Sequence, residues 1–211
     1  MTILALEFSS EQRSVALARD GVVLAEALET GGYRVTNAFG LIEKVLATAN
    51  ISRAEIEVIA VGLGPGSYTG IRAAIALAQG WQLATSVKLI GMSSADALAV
   101  QAQAEKCFGL VNVAIDAQRG EFYLAGWEIS ETERKEVSPL EIVTAAEIAA
   151  RKAAGEICVG PEMDPATFPS AATVARLAAG RTDFLPGEKL VPIYLRETNF
   201  VKAPLPRKNF L

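Results

Sequence analysis

Two carboxylates and a glycine-rich turn are the parts of this chain whose residue types and spacing suit chemistry. Glu7 ends the apolar run ILALE near the start, and Asp116 ends LVNVAID in the second half. Carboxylates that close two such strands, facing each other across a cleft, could hold a divalent cation and the phosphates of a nucleotide. The same residues in turns serve equally to accept backbone N–H groups. Between them lies VGLGPGSYTGIR, Val61 to Arg72. Gly64 and Gly66 around Pro65 let the backbone turn where a side chain would clash, and Ser67 or Thr69 can cap the helix that follows. The N–H groups at that helix start suit an anion or nucleotide, with Gly64, Gly66, Ser67 and Thr69 as its contacts. A tight turn that binds nothing fits the same residues.

Several familiar sites are excluded. A Walker loop needs Lys followed by Ser or Thr after its last glycine, whereas Gly70 is followed by Ile71 and Arg72. A dinucleotide-binding turn places an acid roughly 20 residues further on, yet no Asp or Glu occurs between Glu57 and Asp96. The chain has no histidine, which removes imidazole bases, Ser-His and Cys-His nucleophiles and His-based metal sites. Cys107 and Cys158 are isolated and read as buried thiols.

The elements that must position these residues follow from periodicity and turn signals. Thr2 to Phe8 reads as a strand, and Arg13 to Arg19 and Val22 to Leu28 form a hairpin about Asp20-Gly21. Thr36 to Ala49 reads as a helix with a wide apolar stripe that includes Phe39, Ile42, Val45 and Leu46. Val58 to Val61 is a buried strand before the glycine-rich turn, and Thr69 to Ala84 is the helix after it. Lys88 to Met92 and Ser94 to Lys106 give a further strand and helix. The second half opens as the first does, with Leu110 to Asp116 turning back into Glu121 to Ile129. Helices at Thr144 to Ala153 and Ala171 to Ala179 flank a strand at Ile157 to Val159. The end, from Arg196, is basic and proline-punctuated and reads as a docked or frayed tail.

The helix from Thr69 to Ala84 is apolar on nearly every side. Only Arg72, Gln79 and Gln82 interrupt it, while Gly70, Ala73, Ala74, Ala76, Ala78 and Gly80 keep its surface smooth. One face can pack on the sheet, and the other suits a helix of a partner chain, because small residues let two axes approach closely. Burial on all sides within this chain is the alternative. Strands followed by helices, twice over, imply two ribonuclease H-like lobes, 1–106 and 107–211. A stand-alone ATP-dependent enzyme using Glu7 and Asp116 is one function such a pair of lobes could serve. Against it, no second glycine-rich phosphate turn occurs in the later half.

With 211 residues and a formal charge of −4, the chain can build a substantial core and carries no strong field of its own for nucleic acid. Met1 leads straight into a strand without a basic leader, and no apolar run reaches the roughly 18 residues of a membrane span. The expectation is a cytoplasmic protein without a membrane partner.

Three segments together resemble one bacterial family, TsaB, formerly YeaZ: GPGSYTGIR from Gly64 to Arg72, DAQRGEFY from Asp116 to Tyr123, and PIYLR from Pro192 to Arg196. The opening ILALEFSSEQRSVAL is similar to that family's first hairpin, so the likeness spans nearly the whole chain. It implies a two-lobed α/β fold of the actin-like (ASKHA, ribonuclease H-like) kind with a shortened second lobe. It also implies an accessory, non-catalytic subunit in tRNA N6-threonylcarbamoyladenosine (t6A) synthesis. Such a subunit pairs with the catalytic paralogue TsaD and works with the ATPase TsaE. It meets tRNA through the complex. Exposed apolar area on the helix from Thr69 to Ala84 favours, in addition, a homodimer through the same surface when the partner is absent. ATP and metal are then expected on the partner subunits and no cofactor on this chain. The implied interface lies on the two helices of the first lobe, with Phe39, Ile42, Val45, Leu46, Gly70, Arg72, Ala73, Ala76, Leu77 and Gly80 as candidates. The chain departs from the family in three places. Glu7-Phe8-Ser9-Ser10 stands where Asp then Thr is usual, Tyr68 replaces a phenylalanine, and the GGYRVTN segment, Gly31 to Asn37, lacks the histidine that many members carry.

Overall fold

The computed structural model describes residues 1–31 and 37–195. Thr36, where the periodicity starts the first helix, most of the GGYRVTN segment and the basic tail from Arg196 lie outside them. The strands divide between two sheets. The first contains β1 (Thr2–Glu7), β2 (Gln12–Arg19), β3 (Val22–Thr30), β4 (Val58–Gly62) and β5 (Lys88–Met92), in the order β3-β2-β1-β4-β5. The second contains β6 (Gly109–Asp116), β7 (Glu121–Ile129), β8 (Arg134–Thr144) and β9 (Ile157–Val159), in the order β8-β7-β6-β9. Each sheet is an antiparallel meander that continues through a parallel strand beside its first member, β4 beside β1 and β9 beside β6. The repeated order, one strand shorter the second time, is the actin-like, two-sheet α/β architecture.

The first sheet is covered on both faces, so β1 is buried along its whole length and apolar from Ile3 to Leu6. Leu4, Leu6 and Phe8 face one core with α1 (Ala38–Ala49) and α2 (Tyr68–Ala84). Ile3 and Ala5 face the other, under α5 (Ala171–Ala178). Asp20 and Gly21 both adopt positive φ, 50° and 81°, as the two-residue hairpin turn between β2 and β3 requires. Asn37 caps α1 by accepting from the Gly40 N–H at 3.1 Å, and Asn50 ends it in the left-handed conformation.

The helices cross over between sheets. α3 (Ser94–Ala104), which follows the strands of the first sheet, buries Ala95, Leu98, Ala99 and Ala102 against the second. α5, which follows the strands of the second, buries its apolar side against the first, and α3 and α5 pack on each other. α4 (Ala145–Ala153) places Ile148 on the far face of the second sheet. Sequence periodicity misses β8. This outer strand, RKEVSPLEIVT, is exposed along most of its length and carries Pro139, so it has neither a buried alternation nor a clean strand composition.

Candidate functional site

The glycine-rich turn is packed against the chain that links β1 to β2. The Leu63 N–H donates to the Met92 carbonyl at 2.8 Å, and the Gly64 carbonyl accepts from the Ser94 N–H at 2.8 Å. The Ser67 N–H donates to the Ser9 carbonyl at 2.6 Å. A Cβ on Gly66 would lie 2.1 Å from that same carbonyl, and one on Gly70 would lie 2.0 Å from the Phe8 carbonyl. Glycine is needed at both positions for backbone to touch backbone. The Ser67 hydroxyl accepts from the Gly70 N–H at 3.3 Å and so caps α2. Of the four residues suited to an anion, Gly64 is buried, Gly66 and Ser67 are half-buried against the β1–β2 link, and Thr69 is exposed. Two of the amides that would greet an anion are engaged by the chain itself.

The two strand-end carboxylates are differently placed. Glu7 is fully buried and accepts from the Ser9 N–H at 2.8 Å and the Ser94 hydroxyl at 2.9 Å. A Cβ on Gly62 would fall 2.0 Å from its oxygen, so the carboxyl group rests on bare backbone. Burial pushes Glu7 above the ordinary carboxylate range, against the bonds from Ser9 and Ser94, which act the other way. It cannot reach a ligand without unpacking the sheet. Asp116 instead accepts from the N–H and side-chain amide of Gln118 in its own turn. Its N–H donates to the Glu162 carboxylate at 3.2 Å. Burial, followed by the charges of Asp116 and Glu11, pushes Glu162 up as well. Among the described residues no group of three or more His, Cys, Asp and Glu could hold a metal ion.

On the α1–α2 side the proposed contact residues sort into core and surface. Ile42, Val45 and Leu46 are buried beneath α1 in the chain's own core, because the stripe that makes α1 amphipathic is the one that meets the sheet. A contact on α1 therefore narrows to its outer residues, with Phe39 67% exposed. On α2, Gly70 is buried beside Ile71, Ala74, Ile75 and Ala78. Arg72, Ala76 and Gly80 are exposed, and Ala73 and Leu77 are half-buried between the two faces. With Thr69 and with Leu83, 91% exposed, Ala76 and Gly80 form an outward stripe, bordered by Ala73 and Leu77 on one side and by Arg72 on the other. A Cβ on Gly80 would meet nothing within 4 Å. At the N-terminal end of α2 an aromatic cluster closes the stripe. Tyr68 stacks on Tyr194 with ring centroids 5.7 Å apart, and the Arg72 guanidinium lies 4.4 Å from the Tyr68 centroid. Arg72 Nε donates to the Tyr194 hydroxyl at 3.1 Å. Two segments singled out in the sequence, GPGSYTGIR and PIYLR, thus meet in space, a contact between residues 122 positions apart that no local pattern announces.

The fold and this surface define an actin-like chain whose strand-end carboxylates are held by its own backbone and side chains. A family model described as TsaD: tRNA N6-adenosine threonylcarbamoyltransferase matches residues 29–176, well over half of the chain. The tRNA threonylcarbamoyladenosine biosynthesis protein TsaB of Escherichia coli K12 is 35% identical over 131 residues, which cover 62% of this chain and 57% of that protein. The protein of the same name from Bacillus subtilis 168 is 32% identical over 127 residues, 58% of this chain and 53% of that one. The matched stretch therefore spans little more than half the length of these curated relatives. Among solved structures, an uncharacterized protein with similarity to peptidase YeaZ from Pseudomonas aeruginosa superposes with a TM-score of 0.79 at 26% identity. It covers 92% of this chain and 99% of its own. YeaZ from Pseudomonas aeruginosa shares the fold, with a TM-score of 0.76 at 24% identity and the same coverage. The chain belongs to the TsaB/YeaZ family, within the wider group that the TsaD model describes.

Proposed function

We propose that this chain is a non-catalytic scaffold and activator subunit of the t6A synthase, paired with a TsaD-type catalytic paralogue through the outer face of α2. The observation that carries the reading is the stripe from Thr69 to Leu83. Thr69, Ala76, Gly80 and Leu83 lie exposed along it, with Ala73 and Leu77 half-buried at its border. Exposed apolar area of this kind marks a protein contact, and small residues permit close helix packing. The names of the relatives support the pathway, and a family model shared with the transferase supports a paralogous partner. ATP and metal belong to the partner subunits in this reading, a TsaE-type ATPase joins them, and tRNA is met through the complex in the cytoplasm. Without its partner the chain pairs with a second copy through the same face. Of Gly64, Gly66, Ser67 and Thr69, the exposed Thr69 would be the first to meet a nucleotide at the subunit boundary.

Light scattering tests this directly. Alone, the chain is expected to have the mass of a dimer, and mixed with the catalytic paralogue of the same organism it is expected to form a mixed complex. Ala73→Arg and Ala76→Arg should each weaken pairing about 30-fold or more, the cost of about 2 kcal/mol for spoiling the centre of an interface. A monomer that ignores the paralogue would overturn the reading.

A further inference from the structure

The three polar residues that interrupt α2 all serve one purpose. After α5 the chain returns to the first sheet, where the Leu185 N–H donates to the Leu89 carbonyl at 2.9 Å, and then runs along one flank of α2. Gln79 Nε2 donates to the Gly187 carbonyl at 2.7 Å, and the Gly187 N–H donates to Gln82 Oε1 at 2.8 Å. Gly187 is buried against both side chains, and Leu190 enters the core beneath α1 and α2. The Ile193 N–H donates to the Leu63 carbonyl at 2.9 Å, and Tyr194 reaches Tyr68 and Arg72 at the start of the helix. Seven positions along a helix return to within about 20° of the starting direction and ten to within about 80°, so Arg72, Gln79 and Gln82 share one polar flank. The segment from Leu185 to Tyr194 occupies that flank from end to end.

We propose that this segment is a strap that sets the pose of α2, with Tyr194, Gln79 and Gln82 as positioning residues for the docking face. The sheet alone holds α2 weakly. Its buried face is Gly70, Ile71, Ala74, Ile75 and Ala78, so of its large side chains only the two isoleucines are buried, while Leu77 and Trp81 pack half-buried at the edges of the same core. A helix held by so little can tilt, and a partner that packs on small residues needs one tilt. The strap fixes it before the partner arrives, which is preorganisation. This inference rests on the reading of α2 as the docking face. It adds that residues beside that face, and not only those on it, control its affinity.

The experiment compares Tyr194→Ala, the double variant Gln79→Ala with Gln82→Ala, and Tyr194→Phe, using amide hydrogen exchange and titration with the paralogue. Exchange within α2 is expected to quicken on the order of tenfold in the first two, while α5 and the second sheet keep parental protection. Affinity for the paralogue falls by about the same factor. Tyr194→Phe keeps the ring stack and loses only the bond from Arg72, so it should stay close to the parent in both measurements. Unchanged exchange in α2, faster exchange throughout the chain, or faster exchange in α2 with unchanged affinity would each overturn the strap. If Tyr194→Ala does not fold, the double glutamine variant gives the same readout. A parent chain that never binds the paralogue sinks the docking reading instead, and exchange in α2 still decides whether the strap holds the helix.

Discussion

α2 and α5 cover opposite faces of the same sheet with nearly the same material and meet different fates. Both are rich in alanine. α5 buries Ala171, Ala172, Thr173, Val174, Ala175 and Ala178, because the sheet lies on one side and α3 on another. Its N-terminal amides are also taken, by Ser14 at 2.8 Å, Glu26 at 3.1 Å and Ser170 at 3.2 Å. α2 has the sheet beneath it and the strap beside it, and its third side is open. Composition makes a helix able to pack closely all round. Whether it does so inside the chain depends on what else the chain brings to it, and on α2 the outer side stays exposed among the described residues.

The sharpest way to break this comparison is to place the same charge on each helix. Ala175→Arg buries a cation without a partner and is expected to cost about 3–5 kcal/mol, enough to leave little folded protein in a urea titration. Ala76→Arg points outward and should stay within about 0.5 kcal/mol of the parent while losing its pairing. Equal destabilisation by the two would mean that α2 is not open. A smaller contrast lies within α2 itself. Gly70→Ala drives a Cβ to 2.0 Å from the Phe8 carbonyl and should cost about 1–3 kcal/mol. Gly80→Ala meets nothing and should stabilise the helix by up to about 1 kcal/mol. Thermal melts of the two variants, moving in opposite directions, would confirm which edge of α2 is pressed on the sheet.

The gentlest test changes charge and keeps shape. Glu7 lies on the α5 side of the sheet, bonded to Ser9 and Ser94, and its pKa is raised by burial. Between the unfolded and folded values the folded state holds the proton and the unfolded state has released it. The contribution of Glu7 to stability is therefore full below the unfolded value, about 4.3, and is lost as pH rises through the folded one. Glu7→Gln keeps an acceptor for the Ser9 N–H and offers a donor to the Ser94 hydroxyl. It should be more stable than the parent at pH 8, with the difference shrinking toward pH 4. A variant less stable than the parent at pH 8 would show that the ionised carboxylate is stabilised there by something other than these two bonds.

Much of the architecture was legible because apolar period and turn chemistry agree locally. The Asp20-Gly21 hairpin, the strand into the glycine-rich turn and the run of α2 are all fixed by neighbours in sequence. The site was legible only in part. Phe39 and the small residues of α2 stood out by composition, but which of them face outward did not, since alanine and glycine occur on every side of that helix. Ile42, Val45 and Leu46 were grouped with the contact surface because an apolar stripe looks the same whether a sheet or a partner covers it. The strap was out of reach because its hydrogen bonds with the side chains of α2 join residues 105 to 122 positions apart. The trace it left, three polar residues on one flank of an apolar helix, names no partner. β8 escaped because an exposed outer strand has no buried alternation to betray it.

The crossing of helices between the sheets has a consequence for how the chain is made. The strands of the first sheet are complete once β5 has been synthesised, yet the helix that closes one of their faces is α5, near the end of the chain. At a ribosomal pace of about 5–20 residues per second, Ile3, Ala5, Ala16 and Ala18 wait several seconds for their cover. A growing chain must shelter that apolar surface in the meantime, from its neighbours on the polysome or within a chaperone. Halves cut between the two sheets should each leave the ribosome with a naked face and find stability only when made together.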